Sequence, residues 1–91
     1  MDADDAETIA LSALAFLAED AQRLGRFLAL TGLGPAELRS EARTPRILAA
    51  VLDHLLKDES LLLVFAASHG VAPELIAPAH RQLEGAPGEF G

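Results

Sequence analysis

The 91-residue chain contains no cysteine, no tryptophan and no tyrosine, and it has only four phenylalanines. Without cysteine there is no disulfide framework, no thiolate metal knuckle and no cysteine nucleophile. Basic side chains are scarce: seven lysines and arginines face 14 aspartates and glutamates, for a net charge of −7. No apolar stretch approaches the roughly 18 residues a membrane helix needs; the longest lies within residues 61–68. Asp2, Asp4, Asp5 and Glu7 make the first residues acidic where a secretory signal is basic. These absences lead to the expectation of a soluble, cytoplasmic domain with no membrane contact. What the chain has in abundance is apolar surface, 51% of its residues, with a mean hydropathy of +0.26. That is too much for disorder and enough for one small core.

Seventeen leucines and 18 alanines stand against three isoleucines, three valines and three threonines. Alanine and leucine lose least on entering a helix, whereas strands favour the scarce β-branched residues. The expected fold is all-α, a compact bundle of five to six helices. Asp4 or Asp5 is placed to cap a first helix ending near Ala18, and Asp20 a second ending at Thr31 before Gly32. Pro35 opens a short third helix to about Ala42, and Thr44 with Pro45 opens a fourth to about Leu56. Asp58 caps a fifth, closed by His69 and Gly70. Pro73 opens a sixth, which Pro78 must kink or split. The domain is expected over residues 5–84, with residues 1–4 disordered and 85–91 a flexible tail.

Shifted by 38 residues, the chain matches itself without a gap. Ile9 falls on Ile47, Leu14 on Leu52, Leu17 on Leu55 and Asp20 on Asp58. Leu24 falls on Leu62, Phe27 on Phe65, Gly32 on Gly70 and Pro35 on Pro73. Leucine and alanine coincide by accident in such a composition, but ordered Asp, Phe, Gly and Pro matches at element boundaries are harder to obtain. The expectation is two tandem helix–helix–short-helix units, over residues 7–43 and 45–84. The plainer account is that any helical hairpin needs a cap, a glycine and a proline.

The alignment separates core from surface. Ile9, Ala10, Ala13, Leu14 and Leu17 fall within about 140° of arc, and Ile47, Leu48, Val51, Leu52 and Leu55 repeat that arc. The second and fifth helices share a stripe of Leu24, Phe27, Leu28 and Thr31 matched by Leu62, Phe65, Ala66 and His69. Elsewhere they differ. The second shows Arg23, Gly25 and Arg26 where the fifth shows Leu61, Leu63 and Val64. A helix apolar on every side must be surrounded. Small helical domains commonly hold one such helix at their centre, and that is the first expectation. The other is that Leu61, Leu63 and Val64 form an interface for a protein partner or a second copy of the chain.

Residues for chemistry are few. His54 has Asp53 beside it and Asp58 one turn on, a conceivable metal corner, but it also takes the slot of Phe16 in the first unit, which points to packing. His69, before a helix-ending glycine, is placed to cap terminal carbonyls or favour the negative dipole end. The four serines lie in helices or helix starts with no nucleophile elbow, and the paired carboxylates Glu19-Asp20 and Asp58-Glu59 sit where caps belong. No strand precedes a glycine-rich phosphate loop. Neither an enzyme, a metal nor a cofactor is expected.

Residues 27–43 read helix, glycine turn, helix, the layout of a helix-turn-helix. Five arginines, Arg23, Arg26, Arg39, Arg43 and Arg46, crowd into residues 21–46. A net charge of −7 repels a duplex at long range, and the supposed recognition helix also carries Glu37 and Glu41. Nucleic acid is therefore the second choice. Salt bridges at helix ends, or an anion site at the start of the fourth helix, are the plainer roles, and Arg39, Arg43 and Arg46 form a basic edge suited to an acidic protein.

The run Arg26-Phe27-Leu28-Ala29, with Gly32 and Pro35 after it, resembles an uncharacterised family of short alphaproteobacterial proteins, a domain of unknown function. The stretches Ala13-Leu14-Ala15-Phe16-Leu17-Ala18, Leu48-Ala49-Ala50-Val51-Leu52-Asp53 and Asp58-Glu59-Ser60-Leu61-Leu62 resemble it too, over residues 5–84. The resemblance implies a free-standing, helical bacterial protein and brings no activity or assigned residues with it. The leading expectation is a non-enzymatic protein–protein interaction module able to form a homodimer. Its alternative is a DNA-associated regulator using Arg23, Arg26, Arg39 and Arg43. Titration with nonspecific duplex at low salt separates the two: the regulator must bind, and an interaction module of this charge must not.

Overall fold

The computed structural model describes residues 1–85, and their backbone is helical almost throughout, with no strand among them. Six α-helices follow in order: α1 (Ala3–Ala18), α2 (Ala21–Thr31), α3 (Pro35–Glu41), α4 (Pro45–Leu56), α5 (Glu59–His69) and α6 (Ile76–Glu84). A 3₁₀ turn, Pro73–Leu75, leads into α6. The all-α expectation holds, with six helices.

Side-chain caps fix most helix starts. The Asp20 carboxylate accepts the amides of Gln22 and Arg23, and Asp58 accepts that of Leu61 at 3.2 Å. Thr44 Oγ1 accepts the Ile47 amide, followed by Pro45 at the first helical position. The first helix starts earlier than its sequence suggests. Asp2, not Asp4 or Asp5, is its cap, accepting the Asp5 amide at 2.8 Å. Ala3 and Asp4 are therefore helical rather than disordered, and Asp4 and Asp5 sit in the first turn, where carboxylates favour the positive helix end. Of three closely spaced aspartates, the outermost caps because each residue added to an existing helix gains a hydrogen bond at little entropic cost. The expected flexible tail falls at residues 85–91, of which 86–91 lie outside the described residues.

The break in the last segment comes before Pro78 rather than at it. A helix continuous from Pro73 would need Pro78 to donate to the Glu74 carbonyl, and proline has no proton to give. The chain instead makes a 3₁₀ turn and restarts at Ile76, which leaves Pro78 in the first turn of α6. There its missing N–H has no helical partner to lose.

The centre of the bundle is α4. It packs against α1, α6, α5 and α2, and buries Ile47, Leu48, Val51, Leu52, His54 and Leu55. This corrects the expectation that the fifth helix occupies the centre. α5 buries only Leu62, Phe65 and Ala66, and its other side is open. The physical reason lies in what α4 must cover. Both α1 and α6 lay their apolar stripes on it and on each other. The remaining helix, α3, adds only Leu38 to the core, so no described helix is left to close over α5.

Small residues set the spacing. Ala6, Ala10 and Ala13 form the fully buried line of α1, with Phe16 and Leu17 at its end, while Ile9 and Leu14 are half-buried at its margin. The stripe is thus turned from the one expected, towards Phe16, whose ring meets Phe65 at 5.5 Å between centroids. Alanines let α6 approach α1 closely through Ile76, Ala79 and Leu83.

Two glycines terminate helices in the left-handed region: Gly32 at φ 78° ends α2 and Gly70 at φ 66° ends α5. A Cβ at either position would meet nothing within 4 Å, so the cost of a side chain is confined to the backbone. Gly32→Ala and Gly70→Ala should each lower stability by about 1 kcal/mol without changing the fold. Chemical denaturation followed by circular dichroism measures this; an unchanged midpoint would show that these helix ends have rearranged.

Candidate functional site

α5 divides lengthwise. At 100° per residue, Leu61, Phe65, His69, Leu62 and Ala66 turn inward, and Ser60, Leu63, Val64 and Ala67 turn outward at the i, i+3, i+4, i+7 spacing of a packing seam. Leu63 is 49% exposed and Val64 48%. Of the three apolar residues singled out in the sequence, the structure brings these two together on the surface. Leu61 is half-buried against the core. Leu56 and Leu75 are the exposed large apolar side chains before and after the helix, and the turn carrying Leu75 packs on α5. The stretch around α5 therefore holds four of the six exposed large apolar residues described, the others being Met1 and Leu30. Glu59 is the sole charged residue on this outward side.

Of the three arginines of the basic edge, Arg46 is already paired within the chain. Arg46 Nη2 donates to Glu37 at 3.2 Å and to Glu41 at 3.3 Å, joining α3 to the start of α4. Those hydrogen bonds, Glu41 first, raise its already high pKa. Arg39 and Arg43 are exposed, and Arg43 lines a shallow hollow with Asp4 and Glu7. The start of α4 offers little to an anion, because Pro45 has no amide proton and Thr44 takes the Ile47 amide. Arg23 has a role that its position alone does not reveal. Its guanidinium lies 4.1 Å from the centroid of the Phe16 ring and donates to the Phe16 carbonyl in the last turn of α1.

Two of the three histidines pack against aromatic rings. His69 does not cap carbonyls: its Nε2 lies 3.1 Å from Glu19 Oε2, and its ring stands against Phe65 at 5.3 Å and Phe16 at 5.8 Å. Helix geometry places an imidazole in the last turn, but only the fold shows that the end of α1 comes to meet it. His54 is 9% exposed and sets its ring edge-on to Phe27 at 5.3 Å. The conceivable metal corner does not assemble. Asp53 is paired with Lys57 at 2.9 Å, Asp58 caps α5, and no group of three or more metal-ligating side chains converges among the described residues.

Two grooves flank the outer side of α4. One, of about 600 Å³, runs between α2, α4 and the start of α5, with His54 in its lining and Arg26, Leu30 and Glu59 around it. The other, of about 780 Å³, lies against α6 and includes Arg46, Ala49, His80 and Glu84. No single described helix is long and apolar enough to cross a membrane.

A family model described as a protein of unknown function, DUF3572, matches residues 3–86. The chain belongs to this family. The match covers every stretch that carried the resemblance seen in the sequence. No curated protein and no solved structure matches the chain. The description of the DUF3572 family assigns no activity, so the function of this member is argued from its surfaces.

Burial, and next the positive charge of Arg26, lower the His54 pKa from its ordinary value of 6.5; Asp58 and Asp53 oppose this in part. Below pH 6.5 the unfolded chain takes up a proton at this position that the folded chain refuses, so stability falls as pH drops from about 6.5 towards the folded value. Above 6.5 both states are neutral and the contribution is flat. Compared with the wild type, His54→Phe should lose this part of the decline, measured by denaturation midpoints between pH 7 and pH 5. Parallel curves for the two proteins would show that His54 protonates freely in the fold.

Proposed function

We propose that this DUF3572 member is a non-enzymatic protein–protein interaction module of the bacterial cytoplasm, pairing with a second copy of itself through the outward side of α5. The observation that carries the reading is the adjacency of Leu63 and Val64, each about half exposed, on a helix with no polar face to offer water. An apolar patch of this kind marks an association surface. Within α5 the outward side carries no charge but Glu59, so complementarity along the helix is apolar, and a two-fold axis through α5 supplies an apolar face by symmetry. Ser60 and Ala67 are small enough to let two helices approach closely.

A standard interface buries roughly 800 Å² per partner, against 5225 Å² of total surface here. One 11-residue helix falls short of that, so the adjoining Leu75 extends the contact and the dimer is reversible. The charge of −7 on each copy opposes pairing, so added salt strengthens it. The two units inferred from the 38-residue offset fit this reading, since duplication followed by divergence of one helix would leave α2 polar and α5 apolar. Equivalent caps at Asp20 and Asp58, and equivalent left-handed glycines, support that inference. The regulator alternative has less support, since Arg23 is stacked on Phe16 and Glu37 and Glu41 of the short α3 hold Arg46.

Sedimentation velocity across a concentration series should show a monomer–dimer equilibrium that tightens with salt. Leu63→Glu should weaken it by roughly a hundredfold, since each copy loses a buried leucine, while the helical signal persists. A wild-type chain that stays monomeric at high concentration and binds no hydrophobic dye sinks the proposal, as does a Leu63→Glu chain that unfolds.

A further inference from the structure

His54 is the one buried polar side chain among the described residues, and its hydrogen bonds are unaccounted for. One edge of the ring is taken by Phe27. No group among the described residues bonds to its nitrogens, yet none of their fully enclosed side-chain polar atoms lacks a partner. The nitrogens must therefore reach the small opening left to them, and the ring lines the 600 Å³ groove between α2 and α4. A side chain more than nine-tenths buried thus presents its unused polar atoms to a cavity of the size small-molecule sites have.

The charges around that groove narrow what fits it. Lys57 and Asp53 neutralise each other at 2.9 Å. What remains is Arg26 on α2 and, at the turn into α5, Asp58 and Glu59. A simple anion would meet two carboxylates and a simple cation would meet the guanidinium. A molecule carrying both charges meets a complement for each. Leu30 is 66% exposed, the most open large apolar side chain described, and it lines the same groove beside Ala50. It offers an apolar shelf for a hydrocarbon group.

We infer that the groove between α2 and α4 binds a zwitterion of the α-amino-acid class with an apolar side chain. Its carboxylate lies on Arg26, its ammonium faces Asp58 and Glu59, and the His54 ring bonds it from below. Burial keeps that ring uncharged near neutral pH, so it adds a hydrogen bond without upsetting the charge balance. The inference does not depend on self-association through α5.

L-leucine is the probe, titrated into the full chain while the His54 ring signals and the Thr31 amide are followed by NMR. Saturable shifts in the millimolar range are expected. Two halves of the molecule, 4-methylpentanoate and 3-methylbutylamine, should each bind at least about tenfold more weakly, because each leaves one charge of the groove unpaired. Arg26→Gln, at an exposed position, should weaken leucine by about tenfold with unchanged thermal unfolding. His54→Phe keeps the packing on Phe27 and should weaken it severalfold, read at the Thr31 amide. Absence of saturation up to the solubility of leucine overturns the inference. So does either half binding as tightly as leucine, or an Arg26→Gln chain that binds as the wild type does.

Discussion

Everything in this fold is arranged by the burial of α4. Its buried apolar residues and His54 cover about 160° of arc at 100° per residue, and that breadth lets one helix serve four neighbours. α1 and α6 claim most of it, held close by the alanines of α1 and by Ala79. Once they are in place, α2 and α5 can reach α4 only along its flanks. The exposed side of α5 and the groove over His54 follow from the same allocation. Both are regions that the six described helices leave uncovered once the central one is satisfied.

The aromatic residues reinforce the joints where packing is thinnest. Phe16, Phe65 and His69 gather where the end of α1 meets the end of α5, with Arg23 stacked on one ring and Glu19 reaching His69 from the side. Phe27 and His54 do the same between α2 and α4. In each case an imidazole fills an aromatic position while keeping a polar edge. One of these edges is satisfied by Glu19 and the other opens into a groove, and this difference separates a structural histidine from a candidate ligand contact.

The local features of this fold were legible in the sequence. Asp20, Thr44 and Asp58 are caps because their side chains act within three residues, and Gly32 and Gly70 end helices for reasons confined to one backbone angle. Such signals need no knowledge of the rest of the chain. The start of α1 was misplaced by two or three residues because three aspartates compete, and the sequence does not rank them. Which helix is central was not legible. Apolar character all round says that α5 wants company, but the competition is settled by how α1 and α6 share α4, a matter of packing between residues far apart in the chain. The site was legible only in part. Leu63 and Val64 stand where their helical spacing puts them, while Leu61 turns inward. The pairing of Arg46 with Glu37 and Glu41, and of His69 with Glu19, depends on tertiary proximity that no spacing rule encodes.

The contact between α1 and α6 bears on how the protein is made. α1 lays its alanine stripe on α6, and until α6 has emerged from the ribosome both that stripe and much of α4 have no lid. A nascent chain ending before Ile76 is a set of helices with an open seam, so final packing waits for α6 rather than proceeding helix by helix. During that interval the apolar residues of α1, α4 and α5 are exposed together on one polypeptide. The many carboxylates, which contribute little to the finished core, then have a second use: like charges on neighbouring unfinished chains keep them apart until each has closed on itself.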